Sequence, residues 1–194
     1  TRYRIIGTPN TDHQTIYMSN HVSYLDISMI GGLLTGSFVA KAEVEHWPLF
    51  GFLSKLQRTS FIKRQSSEIS KQKNALQDRL EQGQSLIIFP EGTSTDGRSV
   101  FPFKSSLFAI AMGENNENLY IQPITISMLS TDGNPINTQD DRDLYSWHIK
   151  METDLASHLW RYAKSSGAVL ELKLHPPLKA SEFENRKVLA KTCY

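Results

Sequence analysis

The run Ser85-Leu86-Ile87-Ile88-Phe89 narrows what this chain can become more than any other stretch. It is almost wholly apolar and stops abruptly at Pro90-Glu91-Gly92-Thr93. A strand with one wet face alternates apolar and polar residues. An unbroken apolar run instead fits a central strand covered on both faces. Helical and strand-like stretches alternate around it. Strands are expected before and after a turn at Gly7-Thr8-Pro9-Asn10, then at 37–41, at 60–64 and at 168–174. Helices are expected over 24–34, 66–82, 103–112, 151–164 and 181–192, with Gly31-Gly32 and Gly36 marking the exit of the first. Residues 119–128 read as a strand broken at Pro123, which implies an edge or a bulge. Residues 131–143 are polar and turn-rich and read as a surface loop. The expected fold class is α/β, a mixed and mostly parallel sheet flanked by helices, in one domain spanning 1–194.

Chemistry gathers at strand ends in such sheets, outside the carboxyl edge. Three ends carry suitable groups: Asn20-His21 with Asp26 after the strand at 15–19, Lys63-Arg64, and Glu91-Gly92-Thr93. His21 is the candidate base, because imidazole takes and returns a proton near neutral pH. Asp26 is its candidate partner, fixing the tautomer and stabilising the imidazolium. On a regular helix five residues turn through about 500°, leaving the two side chains roughly 140° apart. They meet only if His21 precedes the helix and Asp26 lies in its first turns. The competing reading is that Asn20 or Ser23 caps the helix and Asp26 complements its dipole. Arg64 can grip a phosphate with two parallel bonds, and alone it is also an ordinary solvated cation. Gly92 lets the backbone approach an anion and Thr93 adds a hydroxyl, although the same residues make a plain turn.

Composition removes several classes. Lys and Arg number 21 against 20 Asp and Glu, which argues against bulk nucleic-acid binding. The lone cysteine, Cys193, leaves no disulfide framework or zinc cluster and fits a reducing, cytosol-facing environment. There is no Gly-x-Ser-x-Gly elbow, Walker loop or His-Glu-x-x-His motif. No run approaches the roughly 18 apolar residues of a spanning helix. The chain begins without methionine, at Thr1-Arg2-Tyr3, which leaves room for a membrane anchor ahead of it. His46-Trp47-Pro48-Leu49-Phe50-Gly51-Phe52-Leu53 is either a buried connector or an apolar rim for a lipid chain.

These blocks resemble a known family. Asn20-His21-Val22-Ser23-Tyr24-Leu25-Asp26 is similar to the His-x4-Asp motif of the glycerolipid acyltransferases. Phe61-Ile62-Lys63-Arg64, Phe89-Pro90-Glu91-Gly92-Thr93 and Ile121-Gln122-Pro123-Ile124 resemble its second, third and fourth blocks, in the family's order. Pro102-Phe103-Lys104 and the stretch from Trp147 to Trp160 are similar too. The nearest resemblance is to the bacterial PlsC-like 1-acylglycerol-3-phosphate acyltransferases. Two departures bear on the acceptor headgroup: Ser94 stands where the family commonly has arginine, and Gln57-Arg58-Thr59-Ser60 lacks the usual glycine. Arg58 and Arg98 are candidates for a displaced positive charge.

The resemblance implies transfer of a fatty acyl group from an acyl carrier protein or coenzyme A thioester to the free glycerol hydroxyl of 1-acylglycerol-3-phosphate, giving phosphatidic acid. It implies His21 and Asp26 as catalytic, and Lys63, Arg64, Glu91, Gly92 and Thr93 as acceptor-binding. No metal or organic cofactor is expected. A membrane surface is an expected partner, nucleic acid is not, and the expected place is the cytoplasmic face of a bacterial membrane. Another lysolipid acceptor, such as lyso-ornithine lipid or another lysophospholipid, is the first alternative. A non-catalytic lipid-binding module is the second.

Overall fold

The computed structural model describes residues 1–41, 60–62, 69–113, 116–148 and 150–194. Its strands are β1 (Arg2–Ile6), β2 (Thr15–Ser19), β3 (Ser37–Lys41), β4 (Ser60–Ile62), β5 (Leu86–Ile88), β6 (Tyr120–Thr131), β7 (Asn134–Pro135), β8 (Ala168–Leu174) and β9 (Leu178–Lys179). The α-helices are α1 (Leu25–Leu33), α2 (Ile69–Glu81), α3 (Gln139–Asp143), α4 (Leu155–Lys164) and α5 (Arg186–Cys193). All the described strands join one sheet in the order β1-β8-β6-β2-β5-β3-β4, with β7 and β9 pairing onto β6. Every pairing not made with β7, β8 or β9 against β6 is parallel, so the sheet is mixed and mostly parallel, as expected.

The apolar run behaves as its sequence demands. Leu86, Ile87 and Ile88 are all buried, and β5 lies between β2 and β3. Alternate side chains enter opposite layers. Leu86 and Ile88 join Ile16, Met18, Phe108 and Leu189 on one face. Ile87 joins Tyr17, Met29, Ile30 and Tyr145 on the other. Each such aliphatic side chain stabilises the fold by about 1.5–3 kcal/mol, so a polar residue in this run would lose its main support. Because β2, β3, β4 and β5 run parallel, their carboxyl ends share one edge.

Five expectations are corrected or refined. Pro123 lies in neither an edge strand nor a bulge, because β6 has β2 on one side and β8 on the other. On the β8 side, pairing with β9 ends at Ile121 and pairing with β8 starts at Ile124, so the missing N–H falls in a gap between ladders. There the Pro123 carbonyl accepts from the His175 N–H at 2.9 Å. The irregularity in β6 falls between Met128 and Ser130 instead. Residues 131–143 are more than a loop. Asp132 and Gly133, with φ of 49° and 79°, close a tight hairpin onto β7. Thr138 then starts α3 with a capping box closed by Asp141. The stretch Ser105–Met112 winds as a 3-10 helix rather than an α-helix. The final helix starts at Arg186, capped by the Asn185 side chain, after a short 3-10 turn at Ala180–Glu182. The first helix also runs through Gly31 and Gly32 and ends at Leu33.

Candidate active site

The site begins where β2 runs out. Past the last paired residue, Ser19, the Asn20 side chain continues the ladder. Its Oδ1 accepts from the Ile126 N–H at 2.6 Å and its Nδ2 donates to the Ile126 carbonyl at 3.0 Å. This frees the backbone of the next residue for other partners. The His21 N–H donates to Glu91 Oε1 at 2.6 Å. The His21 carbonyl accepts from the Thr95 N–H at 2.9 Å and from the Thr95 hydroxyl at 3.2 Å. The loop after β5 therefore grips the His21 backbone from both sides.

The imidazole stacks on Phe89, centroids 4.0 Å apart and planes within 17°. Phe89 in turn stacks on Phe38. His21 Nδ1 lies 2.9 Å from Asp26 Oδ2. His21 precedes α1 and Asp26 is its second residue, which is the only arrangement in which this spacing lets them meet. The carboxylate can only accept here, because its other neighbours are all donors. Oδ2 takes the N–H groups of Val22 at 2.8 Å and Ser23 at 2.9 Å, and Oδ1 takes the Tyr145 hydroxyl at 2.8 Å. Asp26 is fully buried. An unpaired buried charge of this kind would cost several kcal/mol, and the four donors offset it. It follows that in the neutral imidazole Nδ1 carries the proton and Nε2 the lone pair. The His21 side chain is 17% exposed, and among the described residues nothing is bonded to Nε2.

Glu91 is 2% exposed and spends both oxygens on backbone. Besides the bond to His21, its Oε2 accepts from the Phe101 N–H at 2.6 Å. Burial pushes its carboxyl above the usual range, and the N–H groups of Phe101 and His21 pull it partly back. Gly92 has φ of 70°, and its N–H donates to the Phe89 carbonyl at 3.0 Å. A Cβ there would clash with Lys104 Nζ, so the Lys104 ammonium lies directly over the glycine. Thr93 is half-buried, with its hydroxyl turned toward the Ser94 carbonyl at 3.4 Å. Arg98 stands away from these groups, its Nε donating to Gln139 at 2.6 Å. The structure thus brings together His21, Asp26, Glu91, Gly92 and Thr93. Lys63, Arg64, Arg58 and the segment from His46 to Leu53 lie outside the described residues.

A wall behind the pair comes from far along the chain. The Trp147 N–H donates to the Val22 carbonyl at 3.0 Å. The Tyr24 hydroxyl donates to His158 Nδ1 at 2.9 Å, while His158 Nε2–H donates to the Asp143 carbonyl at 3.1 Å. Burial pushes the Tyr24 phenol up to about 12 and the His158 imidazole down, so both stay neutral near pH 7. Asn20, Thr95, Lys104 and Tyr145 escaped the sequence-based choice of site residues. Lys104 and the Trp147–Trp160 stretch carried a signal as family-like segments; Tyr145 lay just outside one.

An ordered imidazole–carboxylate pair at the carboxyl edge of a mostly parallel sheet is an arrangement that can serve as a general base. A sequence model described as Acyltransferase matches residues 3–127, and the chain belongs to that family, in its PlsC-like form. Over 194 residues it is 36% identical to a lyso-ornithine lipid O-acyltransferase of Rhodobacter capsulatus, covering 99% of this chain and 67% of that protein. It is 34% identical over 110 residues to a 1-acyl-sn-glycerol-3-phosphate acyltransferase of Neisseria gonorrhoeae, covering 55% of this chain and 43% of that protein. The crystal structure of the 1-acyl-sn-glycerophosphate acyltransferase PlsC from Thermotoga maritima shares the fold, with a TM-score of 0.68 at 22% identity, over all of this chain and 68% of that one.

Proposed function

We propose that this chain moves a fatty acyl group from an acyl thioester, on acyl carrier protein or coenzyme A, to a hydroxyl of a lysolipid. The observation that carries this reading is the 2.9 Å bond from His21 Nδ1 to a fully buried Asp26, which leaves Nε2 as the base. Nε2 takes the hydroxyl proton as the acceptor oxygen attacks the thioester carbonyl carbon. The C–S bond then breaks, and the imidazolium returns the proton to the leaving sulfur. Asp26 stabilises the positive charge in between. Base catalysis of this kind contributes about 10²–10⁴-fold, and positioning and stabilisation of the oxyanion supply the rest. Arg64, Lys63, Gly92 and Thr93 are assigned to the acceptor headgroup, and Glu91 to holding the loop on which the acceptor sits.

The acceptor favoured is a lyso-ornithine lipid. Similarity to the Rhodobacter capsulatus protein runs through 99% of the chain, including the wall around Tyr145 and His158. Similarity to the Neisseria gonorrhoeae protein covers only 55%. One observation favours 1-acylglycerol-3-phosphate instead: the Lys104 ammonium over Gly92 offers a cation to a phosphate. Either acceptor places the reaction at a membrane surface, and the cytoplasmic face of a bacterial membrane suits both thioester donors. No helix among the described residues is long and apolar enough to cross a membrane.

Thiol release from acyl-carrier-protein and coenzyme A thioesters, measured across a panel of lysolipids, tests the reading. Turnover should be highest with lyso-ornithine lipid, and His21→Ala should lower it by roughly 10³-fold or more while the protein stays folded. A folded His21→Ala enzyme with substantial turnover would overturn the mechanism. Release of no thiol with any acceptor would favour a lipid-binding module. Preference for 1-acylglycerol-3-phosphate would overturn the acceptor assignment alone.

A further inference from the structure

We propose that Tyr145 is a positioning residue for acyl transfer: its hydroxyl holds Asp26 Oδ1 so that Oδ2 stays on His21 Nδ1. The inference rests on His21 being the base and deepens that reading.

The two oxygens of Asp26 are held very differently. Oδ2 meets three donors, His21 Nδ1 and the N–H groups of Val22 and Ser23, all from the same short loop. Among the described residues, Oδ1 meets Tyr145 alone, at 2.8 Å and from 119 residues away. Rotation about an Asp Cβ–Cγ bond is soft and nearly two-fold. Both oxygens turn together about that bond, so an anchor on Oδ1 resists the same rotation that would carry Oδ2 off His21. Tyr145 supplies that anchor in a dry place. Its exposure is 1% and that of Asp26 is 0%, so the bond is shielded from bulk water.

Tyr145 is itself held rigidly. Its N–H donates to the Arg142 carbonyl at 3.0 Å, its ring meets Tyr162 edge-on at 5.8 Å, and two residues later the Trp147 N–H is fixed to Val22. The titratable groups facing it are Asp26, Tyr24 and Tyr162. Burial, then the charge of Asp26, raises its phenol well above the ordinary value, so it remains a donor wherever the enzyme works. The wall carrying Tyr145 is therefore a working part of the site as well as a support for α1.

A buried tyrosine could also serve folding alone, so the test separates the two roles. Tyr145→Phe removes only the oxygen. A hydrogen bond to a charged group of this kind corresponds to about 10- to 100-fold in rate. The expected result is a kcat lower by roughly that factor, with KM for thioester and lysolipid within about twofold. The same change is then made in Asp26→Ala. There no carboxylate remains for the hydroxyl to hold, so Tyr145→Phe should alter the residual kcat by less than about twofold. An unchanged kcat in the Asp26 enzyme, or equal loss in both backgrounds, would overturn the proposal. If Tyr145→Phe is recovered unfolded, 4-aminophenylalanine at 145 keeps the shape and a weaker donor. Its kcat should fall in the Asp26 enzyme and not in the Asp26→Ala enzyme, and any other pattern counts against the proposal. His21→Ala separates the two levels of argument. Its inactivity with an unaltered Tyr145→Phe enzyme sinks this inference only, whereas its activity sinks the base mechanism beneath it.

Discussion

Glu91 shows how two effects on one residue are weighed. Burial disfavours its charge, so an amide in its place removes a desolvation penalty. Yet both oxygens accept backbone N–H groups at 2.6 Å. A glutamine can satisfy only one of them and points its own donor at the other. An orphaned buried donor costs about 1–3 kcal/mol, and the donor–donor contact adds to it. Glu91→Gln is therefore expected to lower the urea midpoint by that equivalent and to reduce kcat, with little change in the acceptor KM. An unchanged or higher midpoint would show that relief of desolvation wins. A rise in acceptor KM alone would return Glu91 to direct acceptor binding. At this scale the sequence was readable where chemistry is local. The five-residue spacing of His21 and Asp26 carried a geometric condition, and the fold meets it. Tyr145 was opaque because nothing in a linear pattern says which distant phenol will reach a given carboxylate.

At the scale of elements, the functional loops are held by bonds that are not part of any regular ladder. The Asn20 amide extends the β2–β6 pairing by one step. Asn20→Ala would leave a buried N–H and a buried carbonyl of Ile126 unpaired, a loss on the order of 2–4 kcal/mol. Urea unfolding should show it, and a loss under about 1 kcal/mol would mean that the strands reclose without the clamp. Gly92 is a second such point. Alanine there must adopt a φ of 70° and displace the Lys104 ammonium. The backbone strain alone amounts to about 1–2 kcal/mol. The more telling expectation is a raised KM for an anionic acceptor, since the cation moves; an unchanged KM would remove Lys104 from headgroup recognition. Strands and helices were legible because hydrophobic period reports burial directly. Pro123 misled because a missing donor matters only where the ladder needs one, and here β9 and β8 leave a gap. The turn-rich 131–143 stretch hid a hairpin and a capped helix too short for any periodicity to show.

For the whole molecule, the site depends on parts of the chain that lie far apart. The His21 loop and its clamp fall within residues 3–127, the span matched by the family, whereas the wall that meets Asp26, Val22 and Tyr24 comes from residues 143–158. Folding of that wall can be followed through His158. The ring is fully buried, donates from Nε2 and accepts at Nδ1, so a proton on Nδ1 would reverse the bond with Tyr24 and leave a charge in a dry site. Burial accordingly places its pKa in the folded state below the ordinary 6.5. His175 is shifted the same way, by burial and by Lys173. The unfolded chain then binds more protons than the folded one as pH drops below about 6.5, and stability falls with acidification. Above that value both states hold these rings neutral and the contribution is fully present. Urea midpoints at pH 7.5 and 5.5 should therefore differ, lower at 5.5. His158→Gln should narrow the difference, because a glutamine side chain has no proton to bind in either state. If the variant keeps the full pH dependence, His158 is not the group responsible and His175 becomes the source to replace next. Acid should also reach the active site by this route, since a charged ring buried there destabilises the wall on which Tyr145 stands.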